Sequence, residues 1–154
     1  MVAVEYASMI PEAELIKREI VVRNMALTDE VRLTRKSLVR WIALSLGLIT
    51  PKETRTIAID VLDVLLREFA HGKKPTTKEI YEKVQKKRKE PVSEKTVYYH
   101  LQRLAKMGLI QREKGRYFIS KDRERLRESV KKVYMHEFEE AFGNIGKALD
   151  SLEK

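Results

Sequence analysis

A group of side chains suited to contact a polyanion recurs at helical spacing after Ser93. Glutamine can pair with adenine, and lysine or arginine with guanine or phosphate. Tyrosine rings can contact thymine methyl groups or phosphates. One face of this segment carries such groups with no acid among them: Lys95, Tyr98, Tyr99, Gln102, Arg103 and Lys106, with Thr96 as a further candidate. These residue types predict a surface that binds nucleic acid.

The element that must position these side chains is a helix over residues 94–107, which we call the reading helix. Ser93 is a suitable N-cap, since its hydroxyl can accept a hydrogen bond from a free backbone N–H of the first turn. Val97, Leu101 and Leu104 recur at i, i+4 and i+7 and predict one buried stripe. Gly108 can take the left-handed conformation that ends a helix.

A β-hairpin is predicted directly after the reading helix, over residues 109–119. Two short strands, at 109–113 and 116–119, flank Lys114-Gly115, which is suited to a two-residue turn. We expect three cations of this hairpin to contact a DNA backbone or the adjacent minor groove: Arg112, Lys114 and Arg116.

The pattern T-V-Y-Y-H-L-x-x-L-x-x-x-G-L-I at 96–110, followed by a charged hairpin, resembles the recognition helix and wing of winged helix-turn-helix transcription regulators. The resemblance covers residues 54–119. It implies a sequence-specific regulator of double-stranded DNA, with the recognition helix in the major groove. The ferric uptake type shares a T-V-Y run, but its proteins need clustered histidine and cysteine ligands. Because this chain has no cysteine, we expect a different subfamily.

Positive charge is concentrated in the segment that carries these motifs. Residues 51–120 hold 17 basic and 9 acidic side chains, against 7 and 6 in residues 1–50 and 8 and 8 in residues 121–154. Such a distribution is typical of an electrostatic footprint for nucleic acid. A basic run precedes the reading helix and either approaches the phosphate backbone or is a solvated helix end: Lys86, Lys87, Arg88 and Lys89.

Composition excludes several other classes. With 154 residues the chain can hold one domain and an appendage, and with no cysteine it has no disulfide and no thiolate metal site. No apolar run reaches about 18 residues, and no signal peptide is recognisable, so we expect a cytoplasmic protein. Abundant Glu, Lys and Arg with scarce Asn and Gln hint at a thermophilic source. No phosphate loop, nucleophile elbow or HExxH motif occurs, and we expect neither enzymatic activity nor a cofactor.

The predicted fold is mainly α, with a small β-hairpin wing. Its parts are an N-terminal helical region (1–50), a winged helix-turn-helix domain (51–120) and a C-terminal dimerisation helix (121–154). In the first part, residues 1–10 are expected to form an arm or to fray, and a helix is expected from Pro11 to about Met25. Residues 27–33 should form a connection to a second helix, which Thr34 caps and which reaches about Leu46.

Two capping boxes predict the helices that precede the reading helix. Thr50-Pro51-Lys52-Glu53 opens a largely apolar helix to about Ala70, and residues 76–79 open the supporting helix of the helix-turn-helix. In the first of these, the charged strip Asp60, Asp63 and Arg67 is expected to be solvated.

The last helix is expected to begin after Ser120 and reach about Leu152. Its apolar residues recur three or four apart, so it needs a partner. We favour a homodimer over packing against the N-terminal helices of the same chain.

Three alternatives stay open. Trp41 lines an apolar effector pocket or, as we favour, is a core or dimer residue. The group His136, Glu137, Glu139 and Glu140 holds a metal or, as we favour, forms a salt-linked helix face. The third alternative concerns the whole chain, which could be a protein-interaction module or a DNA regulator that senses a small molecule. Duplex binding that depends on salt would distinguish a DNA regulator from a protein-interaction module.

Overall fold

The centre of the fold is a nearly all-apolar helix. A computed structural model describes residues 11–54 and 56–154, and in it α3 (Ile57–Ala70) buries seven side chains. A helix that is apolar around most of its circumference must be covered on several sides. Helices α2 (Arg35–Ser45), α4 (Thr77–Lys87), α5 (Glu94–Lys106) and α6 (Leu126–Leu152) all pack against it.

The helix-turn-helix forms where the sequence predicts it. The Thr76 hydroxyl accepts from the Glu79 amide at the start of α4, and the Ser93 hydroxyl accepts from the Thr96 amide, 3.1 Å away, at the start of α5. Between the two helices, the Gln85 amide donates to the Glu90 carbonyl and accepts from the Val92 N–H. The reading helix is therefore α5, with a locally fixed start.

The predicted wing is an antiparallel pair, β1 (Gln111–Glu113) and β2 (Arg116–Phe118), with Arg112 opposite Tyr117. Lys114 (φ 52°) and Gly115 (φ 79°) both lie in the left-handed region, which a type I′ hairpin turn requires. A bridge between Thr76 and Arg116 joins the wing to the start of α4. The mainly α fold with a small wing is confirmed.

The helix predicted from Pro11 to Met25 is wrong. Only Glu12–Leu15 forms a 3-10 helix, and residues 16–28, which we call the strap, have no regular secondary structure. The β-branched run at 20–22 lowers helix propensity. Arg23 donates to the carbonyls of Leu44 (2.6 Å) and Ile49 (3.0 Å), so the strap caps the end of α2 instead. Residues 1–10 lie outside the described residues.

Helix boundaries differ from the prediction at three further places. The segment at 27–33, expected as a connection, contains a one-turn helix, α1 (Asp29–Arg32), capped by Thr28. The capping box at 50–53 forms a turn, closed by the Glu53 N–H on the Thr50 carbonyl (3.0 Å), so α3 begins at Ile57. The last helix begins at Leu126, because the Ser120 hydroxyl accepts from Asp122 in a local turn.

The C-terminal helix α6 has two unlike halves. Its first turns pack on the core through Leu126, Val130, Val133 and Tyr134, and the Tyr134 hydroxyl donates to the Leu46 carbonyl at 3.1 Å. This half therefore packs on its own chain, mainly on α3, and reaches the N-terminal region at the end of α2 through Tyr134. Beyond it the apolar side chains are exposed. Among the described helices none has the length and apolar content to cross a membrane.

Candidate nucleic-acid interface

The reading helix presents one buried and one exposed face. Val97 and Leu101 are fully buried, and Leu104 is 6% exposed. The opposite face places five predicted side chains together, all exposed: Lys95, Tyr98, Tyr99, Gln102 and Lys106. We call this set the reading face. Thr96 and Arg103 are half-buried at its edge. Arg103 also borders a small apolar cavity with His100.

Two side chains of the reading face are already joined. The Gln102 amide nitrogen donates to the Tyr98 hydroxyl one helical turn earlier, and this contact does not use the second amide N–H or the carbonyl oxygen of Gln102. Tyr99 is 63% exposed and meets the His100 ring edge-on, with 5.3 Å between ring centres. The face therefore combines an ordered amide–hydroxyl pair with a projecting aromatic ring.

The wing is fixed against this face by stacking. The Arg112 guanidinium lies 5.7 Å from the Tyr98 ring centre and 5.3 Å from the Tyr117 ring centre. Tyr117 is 2% exposed, and its hydroxyl is 3.1 Å from the Thr77 hydroxyl. Arg112 thus bridges the wing and the reading helix and leaves part of its guanidinium exposed for an anion.

The other two predicted wing cations have different surroundings. Lys114 is exposed at the tip of the turn. Arg116 donates to the Lys74 carbonyl (2.9 Å) and lies 3.6 Å from a Glu79 carboxylate oxygen. Its first role is therefore to hold the base of the wing. Lys74, which no sequence motif singles out, also lies 5.1 Å from the Phe118 ring centre.

In the basic run before the reading helix, two residues form ion pairs and two do not. Lys87 pairs with Asp63, and Arg88 donates to Asp60 (2.7 Å) and to the Thr56 hydroxyl (2.8 Å). Lys86 and Lys89 are exposed and make no ion pair within the part of the chain that the structure describes. Only these two therefore have ammonium groups free to meet a phosphate backbone.

Of the strip predicted to be solvated on α3, Arg67 is exposed and Asp60 is half-buried, but Asp63 is buried. Asp63 is 6% exposed and accepts from Arg35 (2.6 Å) as well as Lys87. A buried carboxylate is stable only when it is paired, and the basic side chains of α2 and α4 supply the partners. Burial lowers the pKa of Lys87, and Arg35 acts in the same direction, while Asp60 opposes them. The sequence offered a weak signal, acidic residues inside a largely apolar helix.

Neither of the other candidate sites gains a set of ligands. Trp41 donates its indole N–H to the Ala26 carbonyl (2.9 Å), so it anchors the strap. His136 lies 3.7 Å from Glu140, and Glu137 pairs with Arg18 of the strap. Across residues 11–54 and 56–154, no group of three or more His, Cys, Asp or Glu side chains is placed to hold a metal ion.

Comparison with known families gives one match over more than half of the chain. The model of the ferric uptake regulator family matches residues 59–147, from α3 through most of α6. No curated protein and no solved structure gives a significant match. The expectation that the missing cysteines separate this chain from the ferric uptake type is therefore wrong. The chain belongs to the ferric uptake regulator family, a family of winged-helix DNA-binding transcription regulators.

Proposed function

We propose that this protein is a homodimeric transcription regulator that binds specific double-stranded DNA sequences, with the reading helix in the major groove and the wing on the backbone or minor groove. The observation that carries the proposal is the reading face itself, five exposed side chains without an acid beside a wing anchored by Arg112. A major groove about 12 Å wide admits an α-helix that presents such a face.

The side chains divide between reading bases and holding phosphates. Gln102 is placed to pair with adenine, because its exposed amide is held beside the hydroxyl of Tyr98. Lys95 can pair with guanine, while half-buried Arg103 suits a phosphate at the edge of the groove. Lys86, Lys89 and Lys114 add exposed charge on both sides of the reading helix. Phosphate contacts of this kind position a protein, and base contacts give it specificity.

The second half of α6 supports a homodimer. Its exposed apolar residues follow one another at intervals of four, three, four and three: Phe138, Phe142, Ile145, Leu149 and Leu152. This alternation is the spacing of a two-helix seam. The first half, with its drifting spacing, packs on its own chain instead. A second copy brings an identical apolar seam, so a two-fold axis at this helix covers both.

Metal chemistry has no place in this proposal. The name of the family implies iron, but the described residues do not fit a metal site, because Glu137 is paired with Arg18 and only Glu140 lies near His136. The proposal therefore rests on shape, hydrogen bonding and charge alone.

Selection of bound duplexes from a random pool tests the proposal most directly. Closed two-fold symmetry places two reading helices on one face of the duplex, about 10 base pairs apart or a multiple of that distance. The selected sites should then form an inverted repeat. A pool that yields no enriched sequence would contradict specific recognition, and single half-sites would contradict the paired arrangement. Binding of an acidic protein but no duplex would favour an interaction module.

A further inference from the structure

A positively charged cleft lies between α2, α3 and the turn that joins α4 to α5. Its volume is about 520 Å³, within the range of small-molecule sites. None of its lining residues belongs to the reading helix. Six cations from three parts of the chain converge on it: Arg35, Lys36, Arg67, Lys87, Arg88 and Lys89. Three carboxylates also line it, so the formal charge of the lining is +3 (six minus three).

The acids of the cleft hold some of the cations in place and leave others unpaired. Asp63 pairs with Arg35 and Lys87, and Asp60 pairs with Arg88. Arg67 approaches Asp63 only at 3.9 Å. Lys36 and Lys89 have no ion pair among the described residues. Arg67, Lys36 and Lys89 are thus available to an added anion.

Arg88 gives an independent sign of a missing acceptor. Its side chain is 19% exposed, and its Nη1 donates to Thr56 and Asp60. Its Nε is buried and has no hydrogen-bond partner in the described structure. Buried donors are normally paired, so this N–H lacks its usual acceptor.

We propose that this cleft binds a small molecule that carries two or more phosphate groups. Arginine presents its N–H donors in a planar fork that matches phosphate oxygens, and three arginines line the cleft. The net lining charge of +3 suits a di- or triphosphate. The cleft is concave and partly open to solvent, so a small anion can enter it. The ligand would join α2 to the turn that precedes the reading helix.

Calorimetric titration of the full chain with inorganic tripolyphosphate, at constant ionic strength, tests the site. We expect saturable binding of one anion per chain. The double change Lys36→Gln and Arg67→Gln should weaken it at least about tenfold, since each removes a charge-assisted contact. Both side chains are exposed, so the fold should persist. Lys147→Gln removes one charge from an exposed lysine of α6 that does not line the cleft, and it should change nothing.

Two further arms identify the ligand and the surface. Tighter binding of adenosine triphosphate than of tripolyphosphate would show that a nucleoside adds contacts, while equal binding would limit recognition to the phosphate chain. The change Lys95→Gln with Lys106→Gln removes charge from the reading face and should leave binding intact. Binding that is lost in this variant, that falls equally with Lys147→Gln, or that never saturates would overturn the proposal.

Discussion

The guanidinium of Arg112, on the wing, lies 5.7 Å from the centre of the Tyr98 ring on the reading helix. The same guanidinium is 5.3 Å from the ring of buried Tyr117. Because Tyr117 belongs to the core, Arg112 ties the wing and the reading helix, the two elements proposed to face DNA, to the core. The angle between wing and reading helix is thereby fixed before DNA arrives, which reduces the ordering cost of binding.

Replacing Arg112 by Gln should lower the stability of the fold as well as remove a positive charge. Each exposed cation–π contact contributes about 0.5–1 kcal/mol, so unfolding by urea should show a destabilisation of about 1–2 kcal/mol. Competition binding should show weaker affinity and poorer discrimination between preferred and random duplexes. Lys114→Gln, at the tip of the same hairpin, removes the same charge without a ring contact and should lower affinity alone. Equal effects of the two changes would show that Arg112 acts only as a charge.

Gln102→Ala tests base reading by the reading helix. It removes an exposed amide and leaves the net charge and the buried stripe untouched. Binding to the preferred site should weaken by about 1–3 kcal/mol, with little change on random DNA. Tyr98→Phe is the control, because it removes the hydroxyl that orients Gln102 and keeps the ring beneath Arg112. If Gln102→Ala leaves the sequence preference intact, the major-groove arrangement is wrong.

Because two residues of the basic run at 86–89 are ion-paired and two are not, neutralising one pair should have a different effect from neutralising the other. Neutralising Lys86 and Lys89 together should lower the slope of log affinity against log salt by about 1.8, because each phosphate that a lysine neutralises adds about 0.9 to that slope. Neutralising Lys87 and Arg88 instead removes one of the partners of buried Asp63 and the ion-pair partner of Asp60, so the main effect should be lower stability. Salt titrations of duplex binding and urea unfolding of both variants separate the two. A lower slope in the second pair alone would reverse the assignment.

How well each structural feature could be predicted depended on whether a short stretch of sequence or contacts with distant residues determine it. Ser93, the Val97-Leu101-Leu104 stripe and Gly108 specify the reading helix within one short stretch, and all act as expected. The box at Thr50–Glu53 has an equally local signature, yet tertiary contacts override it, because Arg40 donates to the Glu53 carbonyl. Burial of Asp63 depends on partners 28 residues before it and 24 after it, which no local pattern reveals.

The exposed seam of α6 predicts which residues join two chains. Phe142→Glu with Leu149→Glu places charge in the seam beyond the part that packs on the core, so light scattering should show half the wild-type mass at micromolar concentration. Asn144→Glu adds a charge to the same exposed helix outside the seam and should leave the dimer unchanged. Wild-type protein that is itself monomeric under these conditions would disprove the seam as a dimer interface.

Tyr134 predicts a decline in stability at alkaline pH. Burial raises the pKa of Tyr134 to about 12, from an ordinary value near 10. Above pH 10 the unfolded chain releases this proton while the folded chain retains it, so the free energy of unfolding falls as pH rises from about 10 to about 12. Below pH 10 the contribution is constant.

Urea unfolding between pH 8 and pH 12 tests this prediction through Tyr134→Phe. At pH 8 the variant should be less stable by about 0.5–1.5 kcal/mol, because the hydrogen bond to the Leu46 carbonyl is gone. Its alkaline decline should be shallower than that of the wild type, since one proton-linked contribution has been removed. Tyr99→Phe, which alters an exposed tyrosine, should keep the wild-type slope. A parallel decline of the wild type and Tyr134→Phe would show that this hydroxyl does not control the alkaline transition.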